Sequence, residues 1–308
     1  MELIDIHVHL FPEDVVNEYM ENYSSHSKLQ AVCSPTLDTL LEEYSGIDVE
    51  RFVILQEWES TKPFQSDNLK PAAESDRFYT RCYFYYFNEW LGKMQRAHEN
   101  LICFGGVHPD DPGCNEEFDR MIGDYGLMGM KLVPCMQHFF LNDRRLFPVY
   151  EKAQGRGIPV LVHTGGDPVP GMEIFGHPRD IDVVATNFPD LVIILAHMGI
   201  PFFDETKDIL KRHRNVYTDI AFTIAYDDVL SFSRQHEIDA SFLTRDFWKT
   251  MLTSLINDFG YERILYGSDF PFIRPKTALR EFLDLDLPDK ARDMILLKNA
   301  REILGLSR

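Results

Sequence analysis

An α/β fold, a (β/α)8 barrel of the TIM type, is what this sequence predicts. Three observations lead there: eight short apolar runs rich in β-branched or aromatic residues, helix-like segments between them, and imidazoles or carboxylates at the ends of several runs. Strand followed by helix, repeated, implies parallel strands joined by crossover helices.

The runs lie at 3–8, 52–55, 102–107, 128–133, 159–162, 192–196, 216–218 and 264–266. Segments 75–97, 147–154, 203–213, 242–258 and 290–304 carry apolar residues at helical spacing, with Gly or Pro near their ends. A doubly wound open sheet would satisfy the same alternation, but the first run is not followed by the glycine-rich phosphate loop that such a sheet would favour. The choice of a barrel, distorted or regular, rests on the residues at the strand ends. The polar stretch 59–75, with two prolines, and the aromatic-rich helix after it read as a lid or insertion over residues 59–98, following the second strand. No linker or internal repeat divides the chain, so residues 1–308 read as a single domain.

Composition excludes several functions. The chain has 308 residues, 44% of them hydrophobic, enough for a substantial core. A net charge of −18 disfavours nucleic acid and anionic membrane surfaces as partners. The apolar stretches fall short of the roughly 18 to 20 residues of a membrane span. Met1 leads directly into a strand-like segment instead of a signal sequence, so the expectation is a cytoplasmic protein. Five scattered cysteines form no C-x-x-C pair and suggest neither a disulfide framework nor a thiolate zinc site.

The chemistry lies at the strand ends. His7 and His9 close the first run, and alternation along a strand sends residues i and i+2 to one face, so both imidazoles can address one centre. His163 ends PVLVH, His197 ends VIILAH and Asp269 follows ILYGS. In a barrel the C-terminal ends of different strands converge, and the joint reading is a metal site. Taken singly, each of these residues reads equally well as a hydrogen-bonded group at a strand-to-loop switch.

The ordered set IDIHVH, GMKLVP, VLVHTGG, IILAHMG and LYGSDFPF resembles the amidohydrolase superfamily. Within it, the branch resembled includes metal-dependent TIM-barrel hydrolases and aminocarboxymuconate-semialdehyde decarboxylase-like enzymes. The resemblance spans nearly the whole chain, down to LKNAREILGL. It implies His7, His9, His163 and Asp269 as ligands of one divalent metal, zinc by default, with manganese, iron or cobalt admitted by the same donors. It implies His197 as a catalytic group beside the metal, with Asp269 both ligating and taking a proton from an attacking water. Lys131 is ambiguous: in some members a lysine on this strand is carbamylated and bridges a second metal, and in others it is an ordinary side chain facing metal or substrate. A single metal and an unmodified Lys131 are the expectation. Many relatives carry a histidine two places after that lysine, where this chain has Val133.

Arg274, Trp58 and His108 stand near strand ends as candidate substrate-binding residues, and for Arg274 a salt bridge to an acidic helix is the simpler reading. Glu57, His138 and Asp219 read equally well as solvated loop residues. The first functional expectation is a metal-dependent hydrolase acting on an ester, lactone or amide bond of a small molecule, with or without a carboxylate. The alternative is a carboxy-lyase of an unsaturated or aromatic carboxylate, and the third a non-catalytic metal-binding barrel. The expected partners are a small-molecule substrate and, because barrels of this kind often pair, a second copy of the chain.

Overall fold

The computed structural model describes residues 2–13, 16, 31–57, 74–165, 175–223 and 245–306. Eight parallel strands form one sheet in the order β1 to β8: β1 (Glu2–Val8), β2 (Asp48–Leu55), β3 (Leu101–Gly105), β4 (Gly129–Leu132), β5 (Val160–Val162), β6 (Ile193–Leu195), β7 (Val216–Asp219) and β8 (Ile264–Leu265). Each predicted run overlaps its strand. The sheet curls until β8 meets β1: Tyr266 O accepts from Ile6 N–H at 3.1 Å, His7 O from Asp269 N–H at 2.9 Å, and Phe270 O from His9 N–H at 2.7 Å. Sequence-neighbouring parallel pairs closed in this way make the predicted barrel.

Around it run α1 (Leu37–Glu43), α2 (Glu74–Ala97), α3 (Cys114–Gly123), α4 (Pro134–Gln137), α5 (Phe147–Arg156), α6 (Arg179–Asn187), α7 (Phe203–Arg212), α8 (Arg245–Phe259) and α9 (Pro275–Leu283). A terminal stretch passes from Asp289–Asp293 through a π-helical turn at Met294–Lys298 to Asn299–Ile303. The amphipathic pattern explains how they dock. On α7 the buried residues are Phe203, Thr206, Ile209 and Leu210, one stripe at helical spacing. Pro275 opens α9 at a position where its missing N–H costs nothing. The sequence pattern overlooks α1, α3, α4, α6 and α9, which span four to ten residues. The helical part of the predicted insertion is α2; residues 59–73 lie outside the described residues, as does Trp58.

Packing separates into two layers. Ile4, Ile6, Val53, Leu55, Phe104 and Leu161 belong to a small cluster inside the barrel, which Ala300 and Leu304 of the terminal stretch join. Leu3, Val8, Phe52, Ile54 and Met130 belong to the larger cluster between sheet and helices. Along β1 the inward face therefore carries Ile4 and Ile6, yet the next inward residues are His7 and His9. The β1–β2 register shifts between Asp5 and Val8, and this irregularity changes the phase of the strand just before its end. The π-helical turn also serves the barrel, because Ile295 O accepts from Tyr266 N–H at 3.0 Å and so continues the pairing of short β8.

Among the described residues, no helix is long and apolar enough to cross a membrane. Cys103 and Cys114 are buried thiols.

Candidate metal centre

His7 and His9 leave β1 pointing into the barrel mouth, both essentially buried. Each Nδ1 is held by acceptors from another strand. His7 Nδ1 lies 2.8 Å from Asp219 Oδ2, at the end of β7. His9 Nδ1 faces Glu57 Oε2 at 2.9 Å, just past β2, and Leu55 O at 3.4 Å. Carboxylate and carbonyl oxygens accept only, so Nδ1 carries the hydrogen in both rings and Nε2 is the nitrogen offered to the centre. Those two Nε2 atoms converge on one carboxylate oxygen: Asp269 Oδ1 lies 3.4 Å from His7 Nε2 and 3.3 Å from His9 Nε2.

His197 repeats the arrangement from β6. Its Nδ1 is 3.0 Å from Ala221 O and its backbone N–H donates to Asp219 Oδ1 at 2.8 Å, so Nε2 is again presented inward. Its ring lies 4.8 Å from that of His7, centroid to centroid. His163 follows β5 with its ring centroid 4.9 Å from that of His197. Both His197 and Asp269 have left-handed backbones, with φ of 58° and 70°. A non-glycine residue there costs roughly 1 kcal/mol, and such residues gather at functional sites.

The charges follow from these neighbours. Burial, with nearby Lys131 and the other imidazoles, holds His7 and His163 well below the ordinary histidine value, in the neutral form that ligates metals. For Asp269 burial works toward protonation, but His9, His197 and Lys131 outweigh it and keep the carboxyl below its usual range. His9 goes the other way: burial opposes its protonation, yet Glu57 and Asp269 prevail and raise it to about 9. Positive charge is therefore favoured between Glu57, His9 and Asp269, as it would be for a site that receives a cation. Lys131, fully buried inside the barrel, puts Nζ 3.5 Å from His7 Nε2, and burial lowers its pKa despite Glu57, Asp219 and Asp269.

These donors fit a divalent metal. His7, His9 and Asp269 each bring one ligand atom, all within 4.8 Å of one another, and oriented imidazoles backed by carboxylates are what metal sites use. A second trio, His7, His197 and Asp219, is equally close, but both Asp219 oxygens are occupied by His7 Nδ1 and by the N–H groups of His197 and Ala221. We therefore place Asp219 behind the ligands. His163 stands on the same rim beside His197, one ring away from the tight trio.

Two of the candidate substrate-binding residues have partners within the protein. Arg274 pairs with Glu43 on α1 at 2.7 Å and reaches Val32 O at 3.4 Å, the salt bridge to an acidic helix that is the simpler reading of the sequence. His108 Nε2 is 2.9 Å from Gln137 O, and its Nδ1 accepts from Asp110 N–H at 3.1 Å. With both ring nitrogens engaged by main chain, His108 ties the loops after β3 and β4 together. Val133 is buried in the outer core, so no imidazole follows Lys131 on the rim.

A family model described as "Amidohydrolase" matches residues 4–306. A curated relative, 2-amino-3-carboxymuconate-6-semialdehyde decarboxylase of Dictyostelium discoideum, is 23% identical over 72% of this chain, and the match covers 66% of the relative, just under two thirds of its length. Among solved structures, an uncharacterized TIM-barrel protein of Bordetella bronchiseptica superimposes with a TM-score of 0.71 at 19% identity, covering 99% of both chains. A dihydroxybenzoic acid decarboxylase of Polaromonas sp. JS666, solved with bound manganese and the inhibitor 2-nitroresorcinol, gives a TM-score of 0.68 at 16% identity, covering 100% of this chain and 98% of that one.

Proposed function

The chain belongs to the amidohydrolase family, and on that premise we propose that it is a metal-dependent carboxy-lyase, releasing CO2 from a small unsaturated or aromatic carboxylate. The observation that carries the metal-dependent part is the convergence of His7 Nε2 and His9 Nε2 on Asp269 Oδ1, with His197 Nε2 presented beside them. Carbon–carbon cleavage is favoured over the hydrolysis first expected from the sequence because the curated relative is a decarboxylase and the manganese-bound barrel is another.

His7, His9 and Asp269 would hold the cation, with His163 the next donor on the rim. Once bound, a divalent metal supplies positive charge that orients an anionic substrate and offsets negative charge developing on it during cleavage. Zinc and manganese both suit the donor set.

The remaining steps belong to side chains. His197, fixed by Ala221 O and Asp219, takes a proton from solvent at Nε2 and passes it to the carbon that bears the carboxylate. That carbon gains a proton, its bond to the carboxylate breaks, the bonding pair returns to the conjugated system and CO2 departs. Asp269, kept ionised by the imidazoles around it, stays an acceptor throughout. The buried rim limits water, which strengthens each of these electrostatic contacts.

Purified protein reconstituted with Mn2+ or Zn2+ would be supplied with hydroxybenzoates and carboxymuconate semialdehydes in D2O. The expected product has lost CO2 and carries one deuterium at the vacated carbon. Solvent 18O in a product carboxylate, with no CO2 released from ester or lactone substrates, would return the assignment to hydrolysis.

A further inference from the structure

The barrel closes where its ladder is weakest. β8 contributes only Ile264–Leu265, and the ligands His7, His9 and Asp269 all stand on the two sides of the β8–β1 seam, past that short strand. A short pairing at such a place leaves main-chain donors to be satisfied by something else.

Asp5 satisfies them. Its Oδ1 accepts from His7 N–H at 3.1 Å on its own strand and from Ser268 N–H at 2.9 Å on the other side of the seam. Its Oδ2 accepts from the hydroxyl of Tyr44, at the end of α1. The carboxylate is completely buried, so its placement has a desolvation cost that these donors and the Ser268 hydroxyl offset. One of the two N–H groups belongs to a ligand residue and the other to the residue directly before Asp269. Gly267 brings the same segments together: a Cβ added there would lie 2.6 Å from the Cβ of His7.

We infer that Asp5 is a positioning residue for the metal centre, stapling His7 to the Ser268–Asp269 segment and so setting how far the β1 imidazoles stand from the β8 carboxylate. It touches neither substrate nor metal. Its effect passes through the backbone of the ligands, and the inference rests on the metal-site reading above.

Chelator competition gives the affinity of the full-length protein for Zn2+, and the visible spectrum of the Co2+ form reports ligand geometry. Asp5→Ala removes both acceptors; affinity should fall roughly 10- to 100-fold, the scale of losses when groups behind metal ligands are removed, and the Co2+ bands should change. Asp5→Asn keeps an oxygen for the two N–H groups and can turn its amide to the Tyr44 hydroxyl, so affinity within about 3-fold of the parent is expected. Gly267→Ala, which forces the seam apart without touching Asp5, should weaken Zn2+ as Asp5→Ala does, and it carries the test if Asp5→Ala does not fold. Parent-like affinity and Co2+ spectrum in a folded Asp5→Ala would overturn the inference, as would parent-like values in Gly267→Ala. An Asp5→Asn loss as deep as that of Asp5→Ala would overturn it too, since charge and not N–H capture would then matter. A parent protein that binds neither Zn2+ nor Co2+ would sink the metal-site reading itself, a result distinct from any of these.

Discussion

Asp269 is joined to His7 twice: its backbone N–H donates to His7 O at 2.9 Å, and its carboxylate oxygen faces His7 Nε2 at 3.4 Å. The first contact is part of barrel closure and the second belongs to the candidate metal centre. Closing the sheet and assembling the site are thus one event, and damage to either should be visible in the other.

Replacing Asp269 with Asn takes away an anionic ligand while the N–H that ties it to His7 remains. Turnover should fall at least ~1,000-fold, combining a lost ligand with a lost charge next to the reacting group. Circular dichroism should stay that of the parent. CO2 release is the assay, and near-normal rates would remove Asp269 from the chemistry.

Glu57 lies 2.9 Å from His9 Nδ1 and supplies the negative charge behind that ligand. Glu57→Gln should weaken metal binding about 10- to 100-fold by competition with a chromophoric chelator. Unchanged affinity would show that Leu55 O alone suffices to orient the ring.

Stripping the protein with a chelator should abolish activity, and Mn2+, Zn2+ or Co2+ should restore it to different extents. Thermal unfolding should rise on reloading, by about 2.7 kcal/mol when free metal is 100 times Kd. A melting temperature indifferent to all three ions would contradict a cation held by His7, His9 and Asp269.

Arg274→Gln breaks the contact with Glu43 on α1. Because half-exposed ion pairs contribute roughly 0 to 1 kcal/mol, stability should move by less than that, and KM should stay within about 2-fold. A 10-fold rise in KM would restore the substrate-carboxylate role that the sequence suggested for it.

Asp180, in the first turn of α6, has its pKa raised to about 6 by burial, against the lowering effect of Arg179. The folded state therefore binds more protons than the unfolded chain between about pH 4 and 6, and this residue's contribution to stability declines as pH rises through that window. Asp180→Asn should gain on the order of 1 to 3 kcal/mol at pH 7.5 and nothing below about pH 3.5. Urea midpoints at the two pH values decide it, and an equal gain at both would exclude ionisation as the cause.

Much of the architecture is legible in the chain because both strand and ligand signals are local. PVLVH and VIILAH each announce a buried strand and the polar residue that ends it, and the spacing of His7 and His9 gives their common face without reference to any partner. Glu57, Asp219 and Asp5 are less readable. A carboxylate near a strand end looks like any solvated loop residue until the strand beside it is known, and only then do Glu57 and Asp219 become the groups that turn His9 and His7. Asp5 hides inside an apolar run, where the one available hint is the oddity of a charge flanked by Ile4 and Ile6. The short helices α1, α3, α4, α6 and α9 escape notice because fewer than three turns leave little periodicity to detect, although α5 and α7, of similar length, are legible.

By itself, then, the sequence determined the alternation of strand and helix, the ordering of donor residues along it and the absence of a phosphate-binding loop after the first strand. These depend on residues close together in the chain. Tertiary structure alone decided the phase change in β1 that turns His7 and His9 inward, the pairing of each Nδ1 with an acceptor from another strand, and the contact of His108 with Gln137. Each of those is a contact between residues far apart in sequence, set by sheet curvature and register, and no local pattern of side chains encodes it.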